Sequence, residues 1–317
     1  MKQEKYVVVV GGLNMDLAGI SGPGFKEGDS NIGTIKLSEG GVGQNIAQNL
    51  VKLNVPVYLV TTYGDDYFGE ILSAECQKKS ISLEYAEQLP GKRSSTYLYV
   101  TNSDGDMVVG INDMDIINHI TPEFLRERID FINNAAVCVI DGNIPKQSVE
   151  WLAEHCQAPI FVDPVSVAKV GRFENVLDKI DTFKPNAIEA EYLTGIKITD
   201  EATAKKAAQH LIDQGVKNVF ISLGSLGILC ASQNEMMIVP ILSTKIVSAN
   251  GAGDCTMATI TWARHHFGAS LPLIEVGQFT QSAASITLES AHSVSPELTV
   301  TNVIRRAQRY LEKEAEN

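Results

Sequence analysis

Two hydrophobic periods alternate along the chain. Short continuous apolar runs at 6–10, 57–62, 137–140, 160–162 and 219–223 predict strands covered on both faces, since such a strand has no polar side. Between them, apolar residues recur every three or four positions, as at Ile46, Ala47, Leu50, Val51 and Leu53, which predicts helices with one buried stripe. Further helices are expected at 68–76, 122–133, 146–157, 200–214, 252–267, 272–290 and 298–314. Shorter helical segments follow Asp163-Pro164, as far as Asp178, and cover 187–193; a hairpin is expected from Gly227 to Val239. Strands alternating with helices predict an α/β fold, a doubly wound and mostly parallel sheet with helices on both faces. No internal repeat or linker divides the pattern, so residues 1–317 are expected to form one domain.

Two stretches break the alternation. Residues 94–101 and 106–111 alternate apolar and polar around Asn102-Ser103-Asp104-Gly105, a strong hairpin signal. The region 14–38 also lacks a helix; it holds a glycine-rich loop at 20–31 leading into 32–37. Both read as insertions that pair into a small β-sheet lid, formed by about 14–38 and 94–112. Its apolar face would cover a site or bury itself in a homodimer.

Composition narrows the classes. The 317 residues carry a net charge of −12, with 44% hydrophobic and 20% charged positions, as in an ordinary globular protein. That charge argues against nucleic acid as a partner. No apolar run approaches the ~18 residues of a membrane span. Five scattered cysteines without CxxC spacing fit a reducing, cytoplasmic setting. Adjacent His265 and His266 point apart on a helix and make a poor metal pair.

The chemistry gathers at glycine-rich turns. The first strand ends at Gly11-Gly12, so Asn14 and Asp16 follow where α/β sheets bind ligands, although both are also common turn formers. Gly40-Gly41-Val42-Gly43-Gln44-Asn45 opens a helix and suits close approach to a polar ligand, with the Asn45 amide able to meet vicinal hydroxyls. Late in the chain, Gly251-Ala252-Gly253-Asp254 opens another helix, whose unpaired amides and positive dipole end suit an anion. Taken alone, this stretch reads equally well as a capped turn or as a phosphate cradle with a proton-accepting carboxylate. A carboxylate at a helix N-terminus is expected to have lowered basicity.

In order, GGVGQN, KPNAIEAE, SLGSLG and GAGD resemble the motifs of the ribokinase-like (PfkB) family of carbohydrate and nucleoside kinases, over nearly the whole chain. Asp29-Ser30-Asn31, Ile111-Asn112-Asp113-Met114 and Pro296-Glu297-Leu298 resemble a nucleoside-phosphorylating branch of it. The resemblance implies transfer from ATP, with Mg²⁺, to the 5′-hydroxyl of a free nucleoside; a family kinase for ribose or another nucleoside, or a non-catalytic nucleoside-binding regulator, are the alternatives. It implies Asp254 as base and the amides of Gly251, Ala252 and Gly253 as the phosphoryl cradle. Asp16, Gly41, Gly43 and Asn45, with Asn14 nearby, would hold the sugar; Ser30, Asn31, Asn112 and Asp113 would read the base. Asn186 and Glu189 would organise Mg²⁺ through phosphates and water, with Ser222, Gly224 and Gly227 along the nucleotide. Activation by a monovalent cation such as K⁺ is common in the family. Here Ser248-Ala249-Asn250 replaces the usual Asp-Thr pair before GAGD, and Gln44 stands where arginine is frequent.

Overall fold

The structure, a computed structural model, describes residues 5–315. The first part of the chain forms β1 (Val7–Val10), β2 (Asn14–Ser21), β3 (Gly33–Gly40), α1 (Val42–Lys52), β4 (Val57–Val60), β5 (Thr62–Gly64), α2 (Tyr67–Lys78) and β6 (Glu87–Leu89). Next come β7 (Ser95–Thr101), β8 (Met107–Asp113), α3 (Pro122–Arg126), α4 (Ile129–Asn133), β9 (Val137–Asp141), α5 (Lys146–His155), β10 (Ile160–Asp163) and α6 (Val167–Val170). The last part holds β11 (Thr182–Phe183), α7 (Ala187–Thr194), α8 (Glu201–Asp213), β12 (Asn218–Ser222), β13 (Ile228–Ser232), β14 (Met236–Val239), α9 (Ala252–Phe267), α10 (Leu273–Leu288) and α11 (Val300–Ala315).

Eight strands make the main sheet, in the order β14-β13-β12-β11-β10-β9-β1-β4. Pairing is parallel from β4 across to β12, and the β12–β13 and β13–β14 pairs are antiparallel, so that β13 runs against the rest. Because β1 is valine throughout, Val7 and Val9 enter one core layer while Val8 and Val10 enter the other. The first layer packs against α1, α2, α9, α10 and α11 through Ile46, Leu72, Met257, Ile286 and Val303; the second meets α5 and α8 through Leu152 and Ala207. The expected doubly wound α/β architecture is therefore present. From β1 the chain winds outward to β4 and then, on its other side, through β9 to β12. This reversal opens a crevice at the carboxyl ends of β1 and β9, the kind of place where α/β sheets take ligands.

A separate four-stranded sheet has the order β3-β2-β7-β8, with β2 and β7 parallel and both outer pairs antiparallel. Asn14 and Asp16, expected in the loop after β1, lie on β2. The period of two sends Met15 and Leu17 toward the main core and the two polar residues to the opposite face. The rows Leu37–Leu17–Leu98–Ile111 and Ile35–Gly19–Val100–Val109 make one face of this sheet apolar.

Some boundaries differ from the pattern. The helix expected over 122–133 breaks into α3 and α4, where Arg128 folds back to donate to the carbonyls of Phe124 and Tyr85 and covers the Phe124 ring. The helical segment expected up to Asp178 is only α6 and two 3₁₀ turns. The short pair β5 and β6 carries too few residues for a periodicity to register. Among the described residues no helix is long and apolar enough to cross a membrane.

Candidate active site

Several polar side chains meet at the carboxyl edge of the parallel strands. Asp141 ends β9, Asp163 ends β10, and Lys184 follows β11; all three are buried. The Lys184 ammonium lies 3.1 Å from an Asp163 carboxylate oxygen. It also sits beside the first turn of α9, 3.5 Å from where a side chain on Gly253 would begin. Burial by itself would lower the proton affinity of Lys184, but Asp163, Glu189 and Asp254 together hold it above the ordinary lysine value. It is therefore a fixed cation at the mouth of an anion cradle.

That cradle is built by backbone. Gly251 adopts a left-handed φ of 76° and has the Ser293 carbonyl directly against it, so only glycine fits there. The Ala252 amide, expected in the cradle, bonds back to the Ala249 carbonyl at 3.4 Å, and the next of α9 to bond back is the Cys255 amide, to the Gly251 carbonyl at 2.9 Å. The amides of Gly253 and Asp254 thus lie in the helical turn that has no carbonyl to bond. Asp254 itself accepts a 2.8 Å hydrogen bond from the Asn45 side-chain amide of α1. Its carboxyl is pushed up to about 7, chiefly by burial and then by the charge of Asp163, against the opposing effects of the Asn45 bond and Lys184. The lowered basicity expected from the helix end is overturned, because burial outweighs the dipole.

The sugar side of the predicted site also assembles. The Asn14 amide donates to Asp16 at 2.5 Å, and Gly41 caps α1 at a φ of 103°, with the Asn14 side-chain oxygen 2.8 Å from where its Cβ would lie. Burial raises the Asp16 carboxyl to about 6, with the Asn14 bond opposing. One oxygen of Asp141 accepts from the amides of both Gly12 and Gly43, each at 2.8 Å, and its other oxygen accepts from Asn143. The end of β1 and the start of α1 are thereby tied to β9. Burial pushes the Asp141 carboxyl up as well.

On the far side, Asn186 and Glu189 form a capping box at the start of α7, each side chain bonded to the other's backbone amide at 2.9 and 2.8 Å. Ser222, which bridges to Asn186, and the turn glycines Gly224 and Gly227 continue this wall at the end of β12. No cluster of three or more acidic, histidine or cysteine side chains that could cage a metal occurs among the described residues. The second Glu189 oxygen and the Asn186 amide oxygen are hard donors near the cradle, which suits Mg²⁺ held chiefly through phosphate and water.

Other predicted residues do not join this cluster. Asn31 spends its amide within its own loop, on the Lys26 amide and carbonyl and on the Asp29 carbonyl, while Ser30 bonds back to Asp29; both are exposed. Asp113 pairs with Arg93 at 3.0 Å, and the alternation of β8 turns it to the face opposite Asn112. Asn112 does share a row with Asp16, through Tyr97. Lys184, Asp163, Asp141 and Ser95 join the cluster without being singled out by the sequence pattern. Lys184 lay inside KPNAIEAE and the two aspartates at strand ends, which was the available signal. Ser95 carries a buried hydroxyl without a hydrogen-bond partner, in the same row as Asn14.

The family model of the pfkB carbohydrate kinases matches residues 4–299. The pseudouridine kinase of Escherichia coli (strain K12) is 35% identical over 309 residues, covering 96% of this chain and 97% of that protein. The uncharacterized sugar kinase YeiI of the same organism is 32% identical over 308 residues, with 96% and 84% covered. A ribokinase structure from Thermotoga maritima superposes with a TM-score of 0.84 at 21% identity, covering 96% and 99%, which bears on the fold.

The raised Asp254 carboxyl has a stability signature. A carboxyl that binds its proton more tightly when folded favours the folded state at low pH and loses that contribution as pH rises through about 7. Asp254→Asn keeps the acceptor for Asn45 and removes the ionisation. Its thermal midpoint is expected to exceed that of the wild type above pH 7, with the advantage vanishing toward pH 4. Thermal unfolding at pH 4, 6 and 8 checks this, and a difference that ignores pH contradicts it.

Proposed function

This chain belongs to the pfkB family of carbohydrate kinases, and from that premise we propose that it transfers the γ-phosphoryl group of ATP to the 5′-hydroxyl of pseudouridine. The observation that carries the reading is the position of Asp254. Its half-buried carboxylate stands between Asn45 of the sugar side and Lys184 at the anion cradle. The similarity to pseudouridine kinase across both full lengths supports the choice of acceptor.

In this reading, Asp16, Asn14, Gly41 and Asn45 hold the ribose hydroxyls and aim the 5′-oxygen at the cradle. Asp254 takes the hydroxyl proton as the oxygen attacks phosphorus. A carboxyl near 7 is matched to neutral pH, where about half of it is ionised and basic enough to accept a proton. The loose transition state of phosphoryl transfer demands little early deprotonation, so positioning dominates. The amides of Gly253 and Asp254 and the Lys184 ammonium receive the charge on the transferring oxygens. Mg²⁺, when bound with ATP near Asn186 and Glu189, neutralises phosphate charge.

We also propose that the small sheet closes over the acceptor and that two copies pair through the exposed edges of its apolar face, the one opposite Asp16. Ile35 and Leu37 of β3 are exposed, as are Val109 and Ile111 of β8, and they share rows with Leu17, Leu98 and Val100. A patch of this kind on a soluble surface calls for a partner.

The test is an ADP-release assay with pseudouridine, uridine, adenosine and ribose. Pseudouridine is expected to give the highest kcat/KM; a preference for ribose overturns the acceptor, and no release with any of them overturns the kinase reading. Asp254→Asn is expected to lower kcat at least ~10²-fold with little change in KM. For the assembly, analytical ultracentrifugation is expected to show a dimer that Leu37→Asp with Ile111→Asp converts to monomer. A wild-type monomer rejects the pairing.

A further inference from the structure

The reading above accounts for the sugar hydroxyls and the reacting oxygen but leaves the nucleobase without a contact. Of the expected base readers, Asn31 spends its side-chain amide within its own loop, and Ser30 stands exposed beside it with only its backbone amide engaged, on Asp29. The small sheet offers something else on the face that carries Asp16. Tyr97 lies directly opposite Asp16 on β7, with Asn112 completing the row. Tyr99 lies two residues further along the same face, in the row Lys36–Ala18–Tyr99–Gly110.

From these positions we infer that Tyr97 and Tyr99 form the platform on which a nucleobase stacks, making the acceptor a nucleoside rather than a free sugar. The inference rests on the phosphotransferase reading and names the residues that would tell a nucleoside from a free sugar. The ring centroids are 5.6 Å apart with planes inclined by 31°, so the rings form one continuous aromatic surface. Both side chains are half-buried, which leaves ring area free to meet a ligand. Gly110 makes room for the arrangement: a Cβ there would stand 3.0 Å from the Tyr97 hydroxyl, which reaches across β8 to the Met107 sulfur at 3.7 Å. Ala18 and Gly110 flank Tyr99 in its row, so neither neighbouring strand sets a bulky side chain of its own against the ring.

Distance along the strand supplies the discrimination. Tyr97 is level with Asp16, where the sugar hydroxyls are held, and Tyr99 is about 7 Å further from the main sheet. A free sugar held by Asp16 ends at the first ring. A base attached to that sugar extends over the second. Asp16 and Tyr99 are close enough for the carboxylate charge to add to burial in raising the phenol above the ordinary tyrosine range. Every base has a stackable face, so the platform selects for the presence of a base and leaves its identity to polar groups such as Asn112.

The test compares Tyr99→Ala, Tyr97→Ala and the corresponding Phe variants on pseudouridine, uridine and ribose. The Ala variants are expected to lose about 5- to 100-fold in nucleoside kcat/KM, mainly through KM, and to act on ribose as the wild type does. The Phe variants keep the stacking surface and are expected to stay within ~3-fold of wild type on every acceptor. Calorimetric titration of pseudouridine without ATP is expected to show the same loss in the Ala variants. Equal losses on ribose and nucleosides, or none on either, overturn the platform while leaving the kinase intact. A wild type that accepts ribose and no nucleoside overturns the acceptor proposal itself.

Discussion

Lys184 is the charge on which the edge of the main sheet depends. Asp163, Glu189 and Asp254 all act on its ammonium, and it is itself buried. A lone buried cation or carboxylate is expensive, and only close pairing makes such a group tolerable. Taking Lys184 away would leave carboxylates facing one another across a dry gap with no counter-charge. The group that balances the folded protein is thus also the group that, in the proposed reaction, faces an incoming phosphate. Stability and affinity for an anion come from one side chain, because a cradle already holding excess negative charge would repel its ligand.

Asp141 performs the mechanical counterpart. Its carboxylate collects amides from the end of β1 and the start of α1, two segments that would otherwise end independently at the crevice. Arg172 reinforces the turn behind it, donating to the carbonyls of Gly142, Asn143 and Ile144. Gly41 and Asn45 are thereby fixed relative to the strand edge from which Asp163 and Lys184 project. The 2.8 Å bond between Asn45 and Asp254 then joins the sugar side to the helix that forms the cradle.

The sequence exposed this arrangement unevenly. Strands such as β1 and β9 were legible because burial on both faces leaves no polar residue to confuse the period. GAGD and GGVGQN were legible because close backbone approach excludes side chains, and that exclusion is written directly as glycine. Lys184, Asp163 and Asp141 were not, since a single charged residue at a strand end looks the same whether it faces solvent or a buried partner. The proton affinity of Asp254 differs from the expectation for a related reason: the helix end is visible in sequence, whereas how far the carboxyl is withdrawn from water is a property of the assembled fold. Asn31 resembles a base reader by composition, and only the loop's own hydrogen bonds show where its amide goes.

The parallel pairing of β2 with β7 bears on how the molecule assembles. Asn14 pairs with Ser95, so α1, α2 and β4 must be spanned before the central ladder of the small sheet can close. An isolated hairpin such as β2–β3 is marginal in water, and so is β7–β8. Long-range parallel pairing is slow because loop closure is paid for before any contact rewards it. The small sheet is therefore among the last parts of the molecule to gain protection during folding. The surface that carries Asp16, Tyr97 and Tyr99 comes into being only once the main sheet beneath it is in place.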